Sequence, residues 1–201
     1  MSPLSVPFAD DPAHRLRELV RASRFQEALA LHRRLADAAE AGAARRAEIE
    51  LLAATAATRV GDLERGEALA GAALERFHER VDADGRMRAL NLLGAIAWER
   101  GRLDAAAACW SEATALAHQL RDSLVAAHAS NNLALVAHLR GQPEVALGLF
   151  RTALLSYQRL GDRRGTAQAY HNLSLSFRQL GDRREAESTA REAVRHAELV
   201  G

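Results

Sequence analysis

Apolar and small residues recur along the chain at three- and four-residue spacings, the period of an amphipathic helix, and the whole pattern returns every 40 residues. Gly101, Gly141 and Gly181 mark the register. Aligned on them, the chain reads NLLGAIAWERG at 91–101, NNLALVAHLRG at 131–141 and HNLSLSFRQLG at 171–181. Leu93, Leu133 and Leu173 match, as do the small residues Gly94, Ala134 and Ser174, and then Ala97, Ala137 and Phe177. Beyond each glycine follow Ala106, Ala146 and Ala186, then Trp110, Phe150 and Ala190, then Ala113, Ala153 and Ala193. A weaker copy surrounds Gly61, and Phe25 with Ala28 points to a divergent first unit. Polar positions drift between copies while these hold, so the repeated residues are the ones that pack.

This pattern predicts ten helices, near 12–21, 24–41, 43–60, 63–80, 86–100, 103–119, 123–140, 143–160, 163–180 and 183–200, and no strand. Asp11 before Pro12 supplies a cap and a first-turn proline, and Ser23 with Gln26 reads as a capping box. Gly42 and Gly61 offer the left-handed residue that ends a helix. At Gly161-Asp162 and Gly181-Asp182 a stop is followed at once by the next N-cap, which demands tight antiparallel turns. Pro143 fits the first helical position, where its missing N–H costs nothing. Gly66 and Gly71 weaken 63–80 by up to about 1 kcal/mol each. Gly66 sits at the small-residue position of its repeat, so close helix approach is expected there. Residues 1–11 read as a flexible leader and 12–201 as one helical repeat domain.

Composition narrows the function classes. The chain is 48% hydrophobic, rich in Ala and only 4% aromatic, which suits close helix packing. Its 27 basic residues, all Arg, nearly balance 26 acidic ones for a net charge of +1, so no overall field attracts phosphate backbones or anionic membranes. Nucleic-acid and membrane partners are therefore not expected. A single Cys109 excludes an intrachain disulfide and suits a reducing cytoplasm, and its place beside Trp110 marks a buried thiol. The leader lacks the basic start and apolar core of a signal peptide.

The order Leu, small residue, aromatic or Ala, Gly, Ala, aromatic, Ala resembles the tetratricopeptide repeat, which pairs two antiparallel helices per unit. Its 40-residue period is similar to the longer-helix variety of kinesin light chain and bacterial quorum-peptide receptors, rather than the usual period of about 34. The resemblance covers 12–200 and is most detailed over 86–200. It implies an all-α, right-handed superhelical solenoid of about five such units, with the first helix of each pair lining a concave groove. On that pattern the groove positions include Glu48, Arg88, Asn91, Trp98, His128, Asn131, Asn132, Leu135, His138, Leu139, His171, Asn172, Leu175, Arg178 and Gln179.

Asn132 and Asn172 share one repeat position, a short asparagine ladder. An amide is both donor and acceptor, so each can grip one peptide unit of an extended ligand, and the resemblance implies that use. Leu92 and Leu52 interrupt the ladder, which confines it to the C-terminal half. Trp98 aligns with His138 and Arg178 and is a candidate aromatic anchor, whereas Trp110 aligns with Phe150 and belongs to the core. His128, His138 and His171 fall on the inner surface, but His128 and His138 are nearly three turns apart, too far to share a metal ion. No P-loop, dinucleotide-binding glycine run or HExxH occurs, so neither catalysis, metal nor cofactor is expected.

The sequence thus points to a non-catalytic cytoplasmic scaffold or adaptor holding a protein or peptide segment through Asn132, Asn172, Asn131, Trp98, His128, His138, His171 and Arg178. Two alternatives stay open: a ligand- or peptide-sensing module acting on a transcription regulator or ATPase, and a self-associating structural module. Ala190, Ala193, Val194 and Ala197 would supply the homodimer contact through the last helix.

Overall fold

A computed structural model describes residues 11–36 and 43–199. Within them the chain forms ten helices: α1 (Pro12–Arg21), α2 (Phe25–Ala36), α3 (Ala43–Arg59), α4 (Leu63–Glu79), α5 (Ala83–Glu99), α6 (Leu103–Leu120), α7 (Ser123–Leu139), α8 (Pro143–Leu160), α9 (Arg163–Gln179) and α10 (Arg183–Glu198). The expected leader, apart from Asp11, and the Gly42 stop lie outside the described residues.

One junction design explains the period. Among the described residues, α1 and α3 to α9 each close on a residue with positive φ, followed by the first flanking residue of the next helix. Gly61, Gly101, Gly141, Gly161 and Gly181 take this position, and Ser23, Val81 and Arg121 take it without being glycine. The backbone N–H of the following residue then bonds back into the last turn, as from Asp162 to Tyr157 O at 2.9 Å and from Asp182 to Phe177 O at 3.0 Å. Asp62, Asp82, Asp162 and Asp182 each turn a carboxylate onto the N–H three residues ahead, which satisfies one of the orphan donors of the next helix. Two differences from the sequence reading follow. Ser23 is the left-handed residue of its turn, with φ 57°, so it cannot serve as the N-cap of a capping box. Helix α5 begins at Ala83 rather than near 86, because Asp82 caps it through Gly85 N–H at 2.9 Å.

The helices group into two compact units, residues 1–100 and 101–201. In the N-terminal unit, α1, α3 and α5 pack in succession as inner helices, with α2 and α4 against α3. Leu16, Leu19, Ala28, Leu29 and Ile49 form one part of its core, and Leu51, Ala73, Phe77 and Ala89 another. In the C-terminal unit α7 and α9 touch directly and α8 packs against both, while α6 covers α7 and α10 covers α9. Phe150, Tyr157, Leu173 and Phe177 centre that core among Ala127, Ala134, Ala146, Ala153 and Ala169. The alanines let the helix axes approach, and each buried large side chain contributes roughly 1.5–3 kcal/mol. Trp110 is buried as its alignment predicts, and Cys109 is half-buried.

Close approach is most severe at the glycines inside helices. A Cβ at Gly66 would meet Thr58 Oγ1 at 2.7 Å, the contact expected from its small-residue position. At Gly165 it would lie 2.5 Å from the Tyr157 ring.

Candidate functional site

Inner helices α7 and α9 carry most of the residues singled out in the sequence. Their shared positions are consumed in packing, so the side chains left over are those that differ between copies. His138, Leu139, Leu175, Arg178 and Gln179 line a shallow cleft of about 340 Å³ at the C-terminal ends of the two helices. Leu139 is 58% exposed, a large apolar side chain left uncovered beside polar neighbours. His128, His171, Arg178 and Gln179 are exposed, and Asn132, Leu135, His138 and Leu175 are half-buried.

Two of the histidines are held from beneath. Tyr157 Oη lies 2.9 Å from His128 Nδ1, with the rings 5.1 Å apart and tilted. Burial pushes the Tyr157 phenol up, with the charge of Asp162 adding to it, so the hydroxyl keeps its proton. Where that hydroxyl donates, His128 Nδ1 accepts, and Nε2 is the ring nitrogen left to bond outward. Fully buried Ser176 lies 3.1 Å from His138 Nδ1 in the same manner, orienting the ring at the cleft. No contact of this kind holds the His171 ring among the described residues.

The two asparagines of the ladder separate. Asn172 is 5% exposed and its Nδ2 donates to Oδ1 of Asn131, itself 2% exposed, at 3.1 Å. That bond joins α9 to α7 inside the seam, so Asn131 and Asn172 fix the spacing of the inner helices and do not present free amides. Asn132 is different. It is half-buried, and its side chain makes no hydrogen bond to another described residue. The reason lies in the packing offset: neighbouring inner helices set Asn172 opposite the residue 41 positions back, not 40. Asn172→Ala is expected to lower stability by about 1–3 kcal/mol, because it strands a buried acceptor. Urea unfolding checks this, and Asn132→Ala should leave the midpoint within about 0.5 kcal/mol of wild type.

In the N-terminal unit Trp98 is half-buried on α5. The inner face there is dominated by an ion-pair network that the sequence reading missed. Glu48 on α3 accepts from Arg17 of α1 at 3.1 Å and from both terminal nitrogens of Arg88 of α5, the shorter at 3.0 Å, while Arg88 Nε reaches Asp84 at 2.9 Å. The signal was present in the register: Glu48 and Arg88 are opposite charges 40 residues apart. Burial opposes ionisation of Glu48, but its hydrogen bonds and charge contacts with Arg88, and then with Arg17, outweigh that and hold the carboxyl below the ordinary range. A carboxyl lowered on folding stabilises above its unfolded pKa of about 4.3 and loses that contribution as pH falls through the folded value. Acid unfolding of wild type should therefore show a stability loss below about pH 4.3 that Glu48→Gln reduces. Equal pH dependence in both proteins would contradict the pairing.

Other features are chemically quiet. Among the described residues no three His, Cys, Asp or Glu side chains converge as metal ligands, and no helix is long and apolar enough to cross a membrane. On α10, Ala193 is buried, whereas Ala190, Val194 and Ala197 are exposed.

Residues 124–198 match the tetratricopeptide repeat family model. A comparison with curated proteins gives no match. Among solved structures, a Rap protein complexed with competence and sporulation factor superposes with a TM-score of 0.78 at 16% identity, covering 93% of this chain and 53% of the Rap chain. The chain thus spans about half the length of that protein. The putative kinesin light chain repeats of Podosopora anserina align with a TM-score of 0.73 at 14% identity, covering 94% of each chain. MamA of MSR-1 gives 0.65 at 18% identity, covering 94% of this chain and 97% of MamA. The fold is that of tetratricopeptide-repeat proteins.

Proposed function

We propose that this tetratricopeptide-repeat chain is a non-catalytic scaffold that holds a protein or peptide segment against the inner faces of its helices. The observation that carries the reading is the cleft of His138, Leu139, Leu175, Arg178 and Gln179, five positions that the repeat does not need for packing. Exposed Leu139 and half-buried Leu175 beside polar side chains suit a peptide, whose side chains need apolar contact and whose backbone needs hydrogen bonds. Asn132 is the amide available to grip that backbone, with His128, His138, His171 and Arg178 contacting side chains; Trp98, on the N-terminal unit, is a candidate anchor of its own. Preformed inner helices reduce the ordering cost of binding.

The test compares affinity capture by wild type, the inner-face variant Leu139→Asp/Leu175→Asp and the outer-face variant Leu155→Asp. Leu155 is 54% exposed on α8, so its substitution controls for added charge. Partners held by wild type and Leu155→Asp but reduced at least tenfold with the inner-face variant support the reading. Equal capture by all three contradicts it.

A regulatory reading has one supporting observation. The Rap relative is complexed with competence and sporulation factor, and a second Rap structure, a conjugation gene regulator, is in complex with the Phr* peptide. A peptide-sensing role would use the same inner face, with the response passed to a regulator or ATPase. A peptide that binds and changes the chain's affinity for a second protein distinguishes sensing from simple scaffolding.

A further inference from the structure

Helix α8 carries a line of residues that the packing of its own unit does not require. Val145, Gly148, Thr152 and Leu155 follow one another at spacings of three, four and three, the seam spacing of paired helices, on the side of α8 opposite buried Phe150 and Tyr157. Val145 and Leu155 are each 54% exposed. At the matching first and last positions α4 has Arg65 and Glu75, α6 has Ala105 and Ala115, and α10 has Glu185 and Arg195, so among these four helices only α8 sets large apolar side chains there. Gly148 stands between them. It lacks positive φ, and a Cβ on it would meet nothing within 4 Å, so neither the backbone nor the core demands this poor helix former. Gly71 on α4 is equally open, but no large exposed apolar side chain stands on that helix. The hydroxyls along the line are already satisfied. Thr152 Oγ1 donates to Gly148 O at 3.0 Å and Ser156 Oγ to Thr152 O at 3.1 Å, so covering them strands no polar group.

The geometry points to a second copy of this chain as the occupant, with the two α8 helices antiparallel about a two-fold axis. The line is complementary to itself in that direction. With the axis at the level of Phe150, Val145 meets Leu155 of the partner subunit at each end, and Gly148 meets Thr152 of the partner subunit in the middle, where the missing side chain lets the helices approach. Exposed Glu144 then falls within one turn of exposed Arg159 of the partner subunit, and the helix dipoles oppose. A parallel pair would set like charges together instead. Arg151, the cation beside the seam, lies over the Phe177 ring at 5.6 Å and so leans toward α9. Pairing through this outer face leaves the inner faces of α7 and α9 open, so it is independent of the peptide-binding reading and lets one pair hold two segments. One helix face per copy belongs at the low end of specific interfaces, below about 1,200 Å² in total, so the pair is weak, with a dissociation constant on the order of tens of micromolar.

Sedimentation equilibrium of the full chain from about 5 to 500 µM tests the inference, with circular dichroism and melting temperature reporting the fold of each variant. Wild type should pass from monomer to dimer over that range. Leu155→Asp and Gly148→Gln should each raise the dissociation constant about tenfold or more, and Gly148→Gln should melt no lower than wild type because the space around position 148 is open. Glu144→Arg should weaken the dimer and the added Arg159→Glu restore it, since the charges exchange across the seam. No restoration would overturn the antiparallel arrangement. Val194→Asp on α10 and Leu139→Asp/Leu175→Asp on the inner face should dimerise as wild type does. A monomer at every concentration would overturn the inference, and so would a dimer that Leu155→Asp and Gly148→Gln leave intact. Dissociation by Val194→Asp alone would place the contact on the last helix and overturn it equally. Leu155→Asp still holds segments bound at the inner face, so the failure of either reading shows without the other.

Discussion

Replacing Tyr157 by Ala is expected to destabilise the C-terminal unit by about 3–5 kcal/mol, a large share of what a domain of this size possesses. The ring is 1% exposed and sits at the centre of the core with Phe150, Leu173 and Phe177. It also lies against the first turn of α9, where Gly165 makes room for it, so its removal empties a space that the neighbouring backbone cannot collapse to fill. The cost combines lost transfer energy with the cavity left behind. Tyr157→Phe separates the ring from its hydroxyl. It keeps the packing, loses only the bond to His128 and should cost about 1 kcal/mol. Urea denaturation followed by circular dichroism measures both. Similar losses for the two variants would show that the hydroxyl, not the ring, holds the unit together.

Gly85→Ala is expected to lower the stability of the N-terminal unit by about 1–3 kcal/mol, although Ala is the better helix former. Gly85 does not adopt positive φ, so its backbone suits any residue. The obstacle is steric: a Cβ would stand 2.2 Å from the ring of Phe77, which is 3% exposed and fixed in the core. Gly101→Ala provides the contrast. There φ is 72° and nothing lies within 4 Å of the added carbon, so the expected cost is only the left-handed backbone strain of about 1 kcal/mol. Thermal unfolding of both variants should show the larger shift for Gly85→Ala. A higher melting temperature for Gly85→Ala would mean that Phe77 can move aside.

The scaffold was legible because packing repeats. Ala134, Ala137 and Ala153 are buried, and so are their copies Gly94, Ala97 and Ala113 forty residues earlier. Helix ends were nearly as clear where Gly-Asp marks them, and less clear where Val81 or Arg121 occupies the left-handed position that glycine signals elsewhere. Pairing between repeats was harder to read. Equal register placed Asn132 with Asn172, whereas the offset of adjacent inner helices brings Asn131 to Asn172. One residue of offset turns an amide from the open face into the seam. The same holds for supports beneath the face: Tyr157 under His128 and Ser176 under His138 join positions 29 and 38 residues apart, and neither spacing is that of the repeat. Glu48 and Arg88 were readable, being opposite charges in equal register, but required the copies to be compared for charge as well as for packing.

The claim that the inner face of α7 and α9 is the recognition surface is tested most directly by mapping amide chemical shifts of the isotope-labelled chain while a peptide selected from a random displayed library for binding to the chain is added. Perturbations concentrated at Asn132, His138, Leu139, Leu175 and Arg178, with α10 and the exposed side of α8 unchanged, are the predicted result. Perturbations confined to α8 or α10, with those five residues unmoved, would contradict it.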